Sequence, residues 1–376
     1  MTEIILDRML LYQFKNYEEL ELQLSRSVNC FIGVNGTGKT NILDAIHYLC
    51  TTRSYFQAVD SACIRFDAQQ ASVTGEFSGH SAEEHIVVAL RRNQKKVVKR
   101  NFKEYDRLAE HIGRFPCVMI TPYDIELIWE GSEVRRKFMD TTLAQCSPSY
   151  LTAWSNYQRA LQHRNTLLKS SDAKRLTKID LEPWDLQLAQ YGEIIWNIRK
   201  SFVELFVPQL LDIYQHICGG SEVIGVDYIS DAGHGDYFSM LQENVERDVL
   251  LGRSTKGIHR DELQFTLHDN PLKKFGSQGQ QKSFLIALKL AQYQYLQQQL
   301  SFKPILMLDD LFEKIDELRL DRILGWLSNH AVGQIFITDT HAERIPMLLN
   351  QYGWQPRIWQ IQEGKLTALK SEHHGQ

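Results

Sequence analysis

The segment Gly33-Val34-Asn35-Gly36-Thr37-Gly38-Lys39-Thr40 constrains this chain more than any other part of it. It matches G-x-x-x-x-G-K-[ST], follows the apolar run at residues 28–32, and opens a stretch in which Ile42, Ala45, Ile46 and Leu49 recur at helical spacing. A strand running into a Gly-rich loop and then a helix is the context that this pattern requires. The glycines let backbone amides curl around phosphate oxygens, and the helix start adds positive potential. Lys39 then reaches the β and γ phosphates, while Thr40 offers a hydroxyl to Mg²⁺. The loop therefore predicts an ATP site with Mg²⁺, formed by Gly33, Asn35, Gly36, Thr37, Gly38, Lys39, Thr40 and Asn41. A Gly-rich turn with a merely solvated lysine is the alternative, and it leaves the matched positions unexplained.

Such a loop needs a carboxylate from a second strand. Ile305-Leu306-Met307-Leu308 lead into Asp309-Asp310. Asp309 is the expected metal partner beside Thr40, and Asp310 is placed to orient or deprotonate an attacking water. The catalytic set is then Lys39, Asp309 and Asp310. A third segment, Lys274-Phe275-Gly276-Ser277-Gln278-Gly279-Gln280-Gln281-Lys282, stands just before the helical pattern Phe284, Leu285, Leu288, Ala291, Tyr295. With Ser277, Gly279 and Gln280 it would form a second phosphate receptor at a helix start. One γ-phosphate has no use for two receptors in one chain unless the second serves a facing subunit. By itself the segment reads as a Gly-rich loop with a Ser cap.

The chain has 376 residues, which suggests two domains. At 43% hydrophobic residues it can bury a core in each, which excludes global disorder. Short strand patterns fill the first hundred residues. In residues 147–168 the positions Tyr150, Trp154, Tyr157, Leu161 and Leu168 fall near one helix face, with Ser147 as N-cap and Pro148 in the first turn. After a polar link, Pro183 opens a second helical stretch that reaches Cys218, with an interruption expected near Pro208 and a stop at Gly219-Gly220. Two long helices joined by a short link predict an antiparallel arm. Strand and helix patterns then return to the end of the chain. The expected fold is α/β, with a head built from residues 1–118 and 222–376 and an inserted, mainly helical arm at 119–221. No apolar run approaches the roughly 18–20 residues of a membrane helix. The N-terminus lacks a basic-then-apolar leader, and the six cysteines are scattered without a CxxC pair. A cytoplasmic protein with no membrane contact is expected.

With 42 Lys+Arg against 46 Asp+Glu, the net charge of −4 rules out a grossly basic nucleic-acid coat. Positive charge is instead local. Arg91, Arg92, Lys95, Lys96, Lys99, Arg100 and Lys103 follow one another with no acid between them. Strand patterns on both sides and Asn93-Gln94 in the middle predict a basic hairpin that lies along DNA phosphates without reading sequence; a solvated charged hairpin is the alternative. Lys169, Lys174, Arg175 and Lys178 make a weaker cluster at the arm tip, near Asp172 and Asp180. Arg135, Arg136 and Lys137 are equally suited to pairing with acids inside the fold.

In their order, GVNGTGKTN, SQGQQ and LMLDDLFEKID resemble the ABC-type ATPase heads of the SMC class and, within it, the RecF family of bacterial recombinational repair proteins. The resemblance spans essentially the whole chain. It takes in Leu11-Tyr12-Gln13-Phe14-Lys15-Asn16-Tyr17, Arg135-Arg136-Lys137-Phe138-Met139-Asp140, the short arm, and Gly257-Ile258-His259-Arg260-Asp261-Glu262. Departures are Tyr123 in Pro122-Tyr123-Asp124, where relatives have Glu, Ser132 and Ile258 where Pro is usual, and Glu313-Lys314-Ile315-Asp316 for the usual Ser-Glu-Leu-Asp. The resemblance implies that two heads sandwich ATP, with Ser277 meeting the γ-phosphate held by the other subunit's Lys39. It implies an ATP-dependent homodimer on duplex DNA near gaps or single-strand/double-strand junctions, and RecR, RecO and RecA as partners. It also implies a weak, DNA-stimulated ATPase, slow because Asp310 stands where the wider ABC class places Glu. An ATP-gated adaptor whose arm docks proteins is the other reading. A transporter ATPase fits less well, given the arm and Asp339 in the place of a switch histidine; His341 reads as a surface helix-start residue or as a γ-phosphate sensor.

Overall fold

The computed structural model describes residues 2–79, 82–170, 176–220, 222–300, 302–311, 315–341, 344–362 and 365–369. Lys174, Arg175, Asp172, Glu313 and Lys314 lie outside them. The chain forms two compact units: Met1–Asp124, His216–Gly219 and Ile286–Gln376 make the first, and Ile125–Gln215 with Gly220–Leu285 the second.

Two six-stranded sheets build the first unit. One runs in the order Lys365–Leu369, Arg357–Gln362, Val28–Ile32, Ile335–Asp339, Ile305–Leu308, Cys117–Ile120, parallel throughout except for its first pair. Its central strands are buried on both faces, and so they read as unbroken apolar runs. The other sheet is antiparallel, in the order Tyr17–Gln23, Ile5–Phe14, Gln70–Ser78, Glu84–Arg91, Val97–Arg100, Lys103–Glu104. Here buried and half-exposed residues alternate, as in a sheet with one face to the core. The helix Lys39–Thr51 shares one apolar cluster with both sheets: Ile42, Ile46 and Leu49 lie with Val73 and Val88 on one side and with Met119 and Phe336 on the other. This fixes the helix start at the carboxyl end of the parallel strands, where α/β sheets bind ligands.

The second unit carries the expected antiparallel helix pair, Pro148–Leu168 and all but the last residues of Lys178–Cys218. Ser147 Oγ accepts from the Tyr150 amide and Pro148 sits in the first turn. Opposed direction is visible in the pairs Tyr150 with Arg199, Arg164 with Asp185, and Leu168 with Leu181. One expectation fails. The second helix starts at Lys178, before Pro183, and runs through Pro208 without interruption. Pro208 is exposed, so the carbonyl it strands meets water, while Phe202, Phe206, Leu210 and Ile213 hold the opposite face in the core.

Residues 220–285 join these helices because two buried arginines reach for their carboxylates. Arg164 donates to Asp185 at 2.5 Å, Asp248 at 2.6 Å and Ser254 at 2.8 Å. Arg199 donates to Tyr150 Oη at 3.0 Å, and to Asp140 and Asp261 at 2.6 Å each. Among the described residues no helix is long and apolar enough to cross a membrane.

Candidate functional site

The loop after Val28–Ile32 is shaped by two left-handed glycines, Gly36 at φ +83° and Gly38 at φ +105°. A Cβ on Gly38 would stand 2.4 Å from Asn16 Nδ2 and 2.8 Å from Tyr17 Oη. That close approach is used: Tyr17 Oη donates to the Gly38 carbonyl at 3.1 Å, and Asn41 Nδ2 donates to Asn16 Oδ1 at 2.7 Å. The preceding hairpin thus braces the loop. Gly38 is the N-cap of Lys39–Thr51, with no side-chain cap and no acid in the first turn. The positive helix end is left facing the loop interior.

Lys39 is buried and its Nζ curls over the loop, donating to the Gly33 carbonyl at 2.8 Å and lying 3.4 Å from Asn35 Oδ1. Asp310 Oδ1 stands 4.0 Å from the same Nζ. Thr40 Oγ1 is 2.9 Å and 3.1 Å from the two carboxylate oxygens of Asp309. The two members of the predicted metal pair, 269 positions apart, therefore meet. A hydroxyl and a carboxylate are the hard oxygen donors that Mg²⁺ takes, so the donor set fits the ion.

Thr338 is the residue that sequence reasoning missed. It is fully buried on the neighbouring strand; its Oγ1 donates to Asp309 Oδ1 at 2.8 Å and accepts from the Asp310 amide at 2.8 Å. One hydroxyl thereby fixes the Asp309 carboxylate and the backbone of the next residue, which sits at φ +42°. Burial pushes the Asp309 carboxyl up to about 6, against the pull of the Thr338 and Thr40 hydroxyls and with a further push from Asp310. Nothing in the pattern before Asp339 marks a threonine for this task.

The Ser277 segment lies in the second unit, at the start of the helix Gln278–Leu300. Ser277 N donates to Gln280 Oε1 at 2.7 Å and Gln280 N to Ser277 Oγ at 3.3 Å, a reciprocal capping box. Ser277 is exposed, Gly279 and Gln280 are half-buried, and Gln280 Nε2 also reaches Glu222 at 3.1 Å. Accepting at the cap leaves the serine O–H proton to donate outward.

Residues 5–353 match the RecF/RecN/SMC N-terminal domain family. The chain is 41% identical to the DNA replication and repair protein RecF of Parabacteroides distasonis, over 98% of this chain and 100% of that one. The RecF protein of Flavobacterium johnsoniae is 42% identical, over 90% of this chain and 95% of its own length. The chain belongs to the RecF family. Its fold is similar to the solved structure of the recombination mediator protein RecF-ATP in the RecFOR pathway, with a TM-score of 0.87, 26% identity, and 98% and 100% of the two chains covered. An Smc head domain from Pyrococcus furiosus shares the fold at a TM-score of 0.58 and 15% identity, over 98% and 97% of the chains. The ABC-type ATPase head of the RecF and SMC proteins is thus the fold of this chain.

The motif residues that RecF resemblance singled out fall into distinct places. Arg135 is tied bidentately to Glu262 at 2.7 Å and 2.9 Å, and Arg136 donates to the Asp261 carbonyl at 2.8 Å, so these two arginines serve the interior of the second unit. His259, held by Tyr157 at 2.8 Å, has its pKa lowered to about 4 by burial. Asp124 is buried, accepting from the Thr121 amide at 2.7 Å and pairing with Lys289 at 3.2 Å. Tyr123 beside it is 64% exposed, its ring edge-on to Phe56. Asp316 caps the helix Glu317–Asn329. The exposed His341 donates its backbone amide to Asp339 Oδ1 at 2.6 Å, forming a turn at the strand end.

The basic hairpin forms as expected between Glu84–Arg91 and Val97–Arg100, with Asn93 at φ +60° in its turn. Its cations divide. Arg91, Lys95 and Lys99 are exposed. Arg92 donates to the Ala68 and Arg65 carbonyls at 2.9 Å and 3.2 Å, Lys96 lies 3.2 Å from Asp60, and Arg100 lies 3.0 Å from Glu84.

Proposed function

We propose that this chain is an ATP-dependent DNA-binding protein of recombinational repair and replication restart, in which ATP drives two heads together on duplex DNA near gaps or junctions. Slow hydrolysis then releases them. The observation that carries this reading is the meeting of Thr40 and Asp309 beneath Lys39, in a chain whose relatives are named for DNA replication and repair and whose structural relative is RecF-ATP. Lys39 would leave the loop carbonyls for the β and γ phosphates. Thr40 and Asp309 would hold Mg²⁺, which neutralises phosphate charge when bound. Asp310, anchored through its amide to Thr338, would orient the attacking water and accept its proton. Its carboxylate is one methylene shorter than a glutamate and holds that water less closely. Ser277, Gly279 and Gln280 of a second copy would close over the γ-phosphate, making dimerisation the readout of nucleotide state. In this reading the head of each copy comprises 1–118 and 222–376 and the arm 119–221, although residues 222–285 of the head pack with the arm in one compact unit.

DNA would lie along Arg91, Lys95 and Lys99, with Arg92, Lys96 and Arg100 stiffening the hairpin from behind. The family implies RecO and RecR as partners in loading RecA on gapped DNA, and a cytoplasmic location. The test is binding to a labelled gapped duplex, with and without ATP and Mg²⁺, across a salt series beside plain duplex and single strand. Nucleotide-dependent binding that weakens steeply with salt is expected, its slope bounding the phosphate contacts. Nucleotide-independent or absent binding, in protein shown to take up ATP, overturns the reading.

A second reading, an ATP-gated adaptor, draws on the long helix. Ile179, Leu186, Ile194 and Leu205 are exposed along it, as on a surface that docks protein. Reversing the charges of Arg91, Lys95 and Lys99 separates the two: the adaptor survives it and the DNA clamp does not.

A further inference from the structure

The free edge of the antiparallel sheet ends in a turn that its sequence disfavours. Arg100 pairs with Lys103 across it, which leaves Asn101 at φ +48° and Phe102 at φ +68° as the two central residues. A two-residue turn of this hand is natural to Asn followed by Gly. A bulky residue in the second place loses stability there. Asn101 is well used: its amide donates to the His85 carbonyl at 2.8 Å and its Oδ1 accepts from the His85 amide at 2.8 Å. Phe102 contributes to no core. It is 81% exposed, and its ring lies flat on the His85 imidazole, centroids 4.9 Å apart and planes 20° apart.

The face that carries this ring holds charge of both signs, with Lys99 among them. Ile86, Val88, Leu90 and Val98 point inward, so His85, Arg91 and Lys99 share the outer face with Glu104, which stands opposite Lys99, while the exposed Lys103 stands opposite Arg100 on the other face. Two of the nearby acids are matched: Glu84 is bound by Arg100 and Arg114, and Glu76 opposite His85 is bound by Arg8.

An exposed aromatic face backed by a second ring is a stacking platform for a nucleobase, and intact duplex hides the faces of its bases. We propose that Phe102, supported by His85, stacks an unpaired base while Lys99 on the same face holds an adjoining phosphate, which makes this hairpin the element that distinguishes gapped or tailed DNA from continuous duplex. The inference rests on the DNA-binding reading above and names the DNA structure that the site prefers.

The experiment uses the full chain with ATP and Mg²⁺ and two labelled duplexes with hairpin-closed ends, one continuous and one carrying a gap with 2-aminopurine at its edge. Phe102→Gly removes the ring and suits the positive φ, so it should melt at or above the wild-type temperature. It should bind continuous duplex like the wild type, lose about tenfold on the gapped duplex, and no longer quench 2-aminopurine. Phe102→Trp should keep both the affinity and the quenching. The proposal is overturned if Phe102→Gly keeps wild-type affinity for the gap, or if both affinities fall together. Wild-type protein that binds neither duplex brings down the DNA-binding reading itself, a result distinguishable from either.

Discussion

Asp309 shows how far a single position can work against stability. Its folded pKa of about 6 lies above the ordinary 3.8, so the native state holds the proton more tightly than the unfolded chain. Stability therefore falls as pH rises from about 4 to 6, and above that the buried charge costs about 3 kcal/mol. Asp309→Asn should raise the melting temperature at pH 8 and leave it unchanged at pH 4, while abolishing Mg²⁺-supported turnover; melts at the two pH values check this. For the wild type, Mg²⁺ should bind more weakly below pH 6, where the carboxylate takes up its proton. Asp310→Asn is a different case. Closure on ATP should persist and hydrolysis stop, and normal phosphate release by this variant would remove Asp310 from the mechanism.

At the scale of elements, the buried arginines do the joining. Arg164 is enclosed by Asp185 and Asp248, all three fully buried. Arg164→Met would leave two carboxylates uncompensated, a loss of about 3–5 kcal/mol visible in a urea melt. The sequence does not announce this, because an arginine inside an amphipathic helix reads as a solvated one. The Gly33–Thr40 loop was legible for the opposite reason: its backbone needs glycines at fixed spacing within a few residues, and strand and helix flank it directly. The same locality made the basic hairpin and the Ser147 cap readable. The tasks of Asn16, Tyr17 and Thr338 were not, since each acts on the site from a turn or strand outside the loop, and only the folded sheets bring their hydroxyl or amide within reach. Pro208 misled because a proline is read without knowing which face it occupies.

On the scale of the whole molecule, the nucleotide loop belongs to one compact unit and the Ser277 cap to the other. The sequence places breaks at 118/119 and 221/222; the compact units change over at 124/125, 215/216, 219/220 and 285/286, the last inside the helix Gln278–Leu300. Composition does not reveal that residues 220–285 follow the arginines of the arm. Lys39→Met should abolish ATP-dependent dimerisation as read by light scattering, and dimerisation like that of the wild type would disconnect the loop from assembly.

The strand that feeds the nucleotide loop, Val28–Ile32, has Ile335–Asp339 on one side and Arg357–Gln362 on the other. On the ribosome both neighbours emerge long after the strand they flank. Until they do, at roughly 5–20 residues per second, the growing chain carries the whole nucleotide-loop sequence without the parallel strands on either side of it. The ability to take up nucleotide should therefore switch on abruptly when these strands are complete, so that chains terminated before them stay silent rather than competing for ATP.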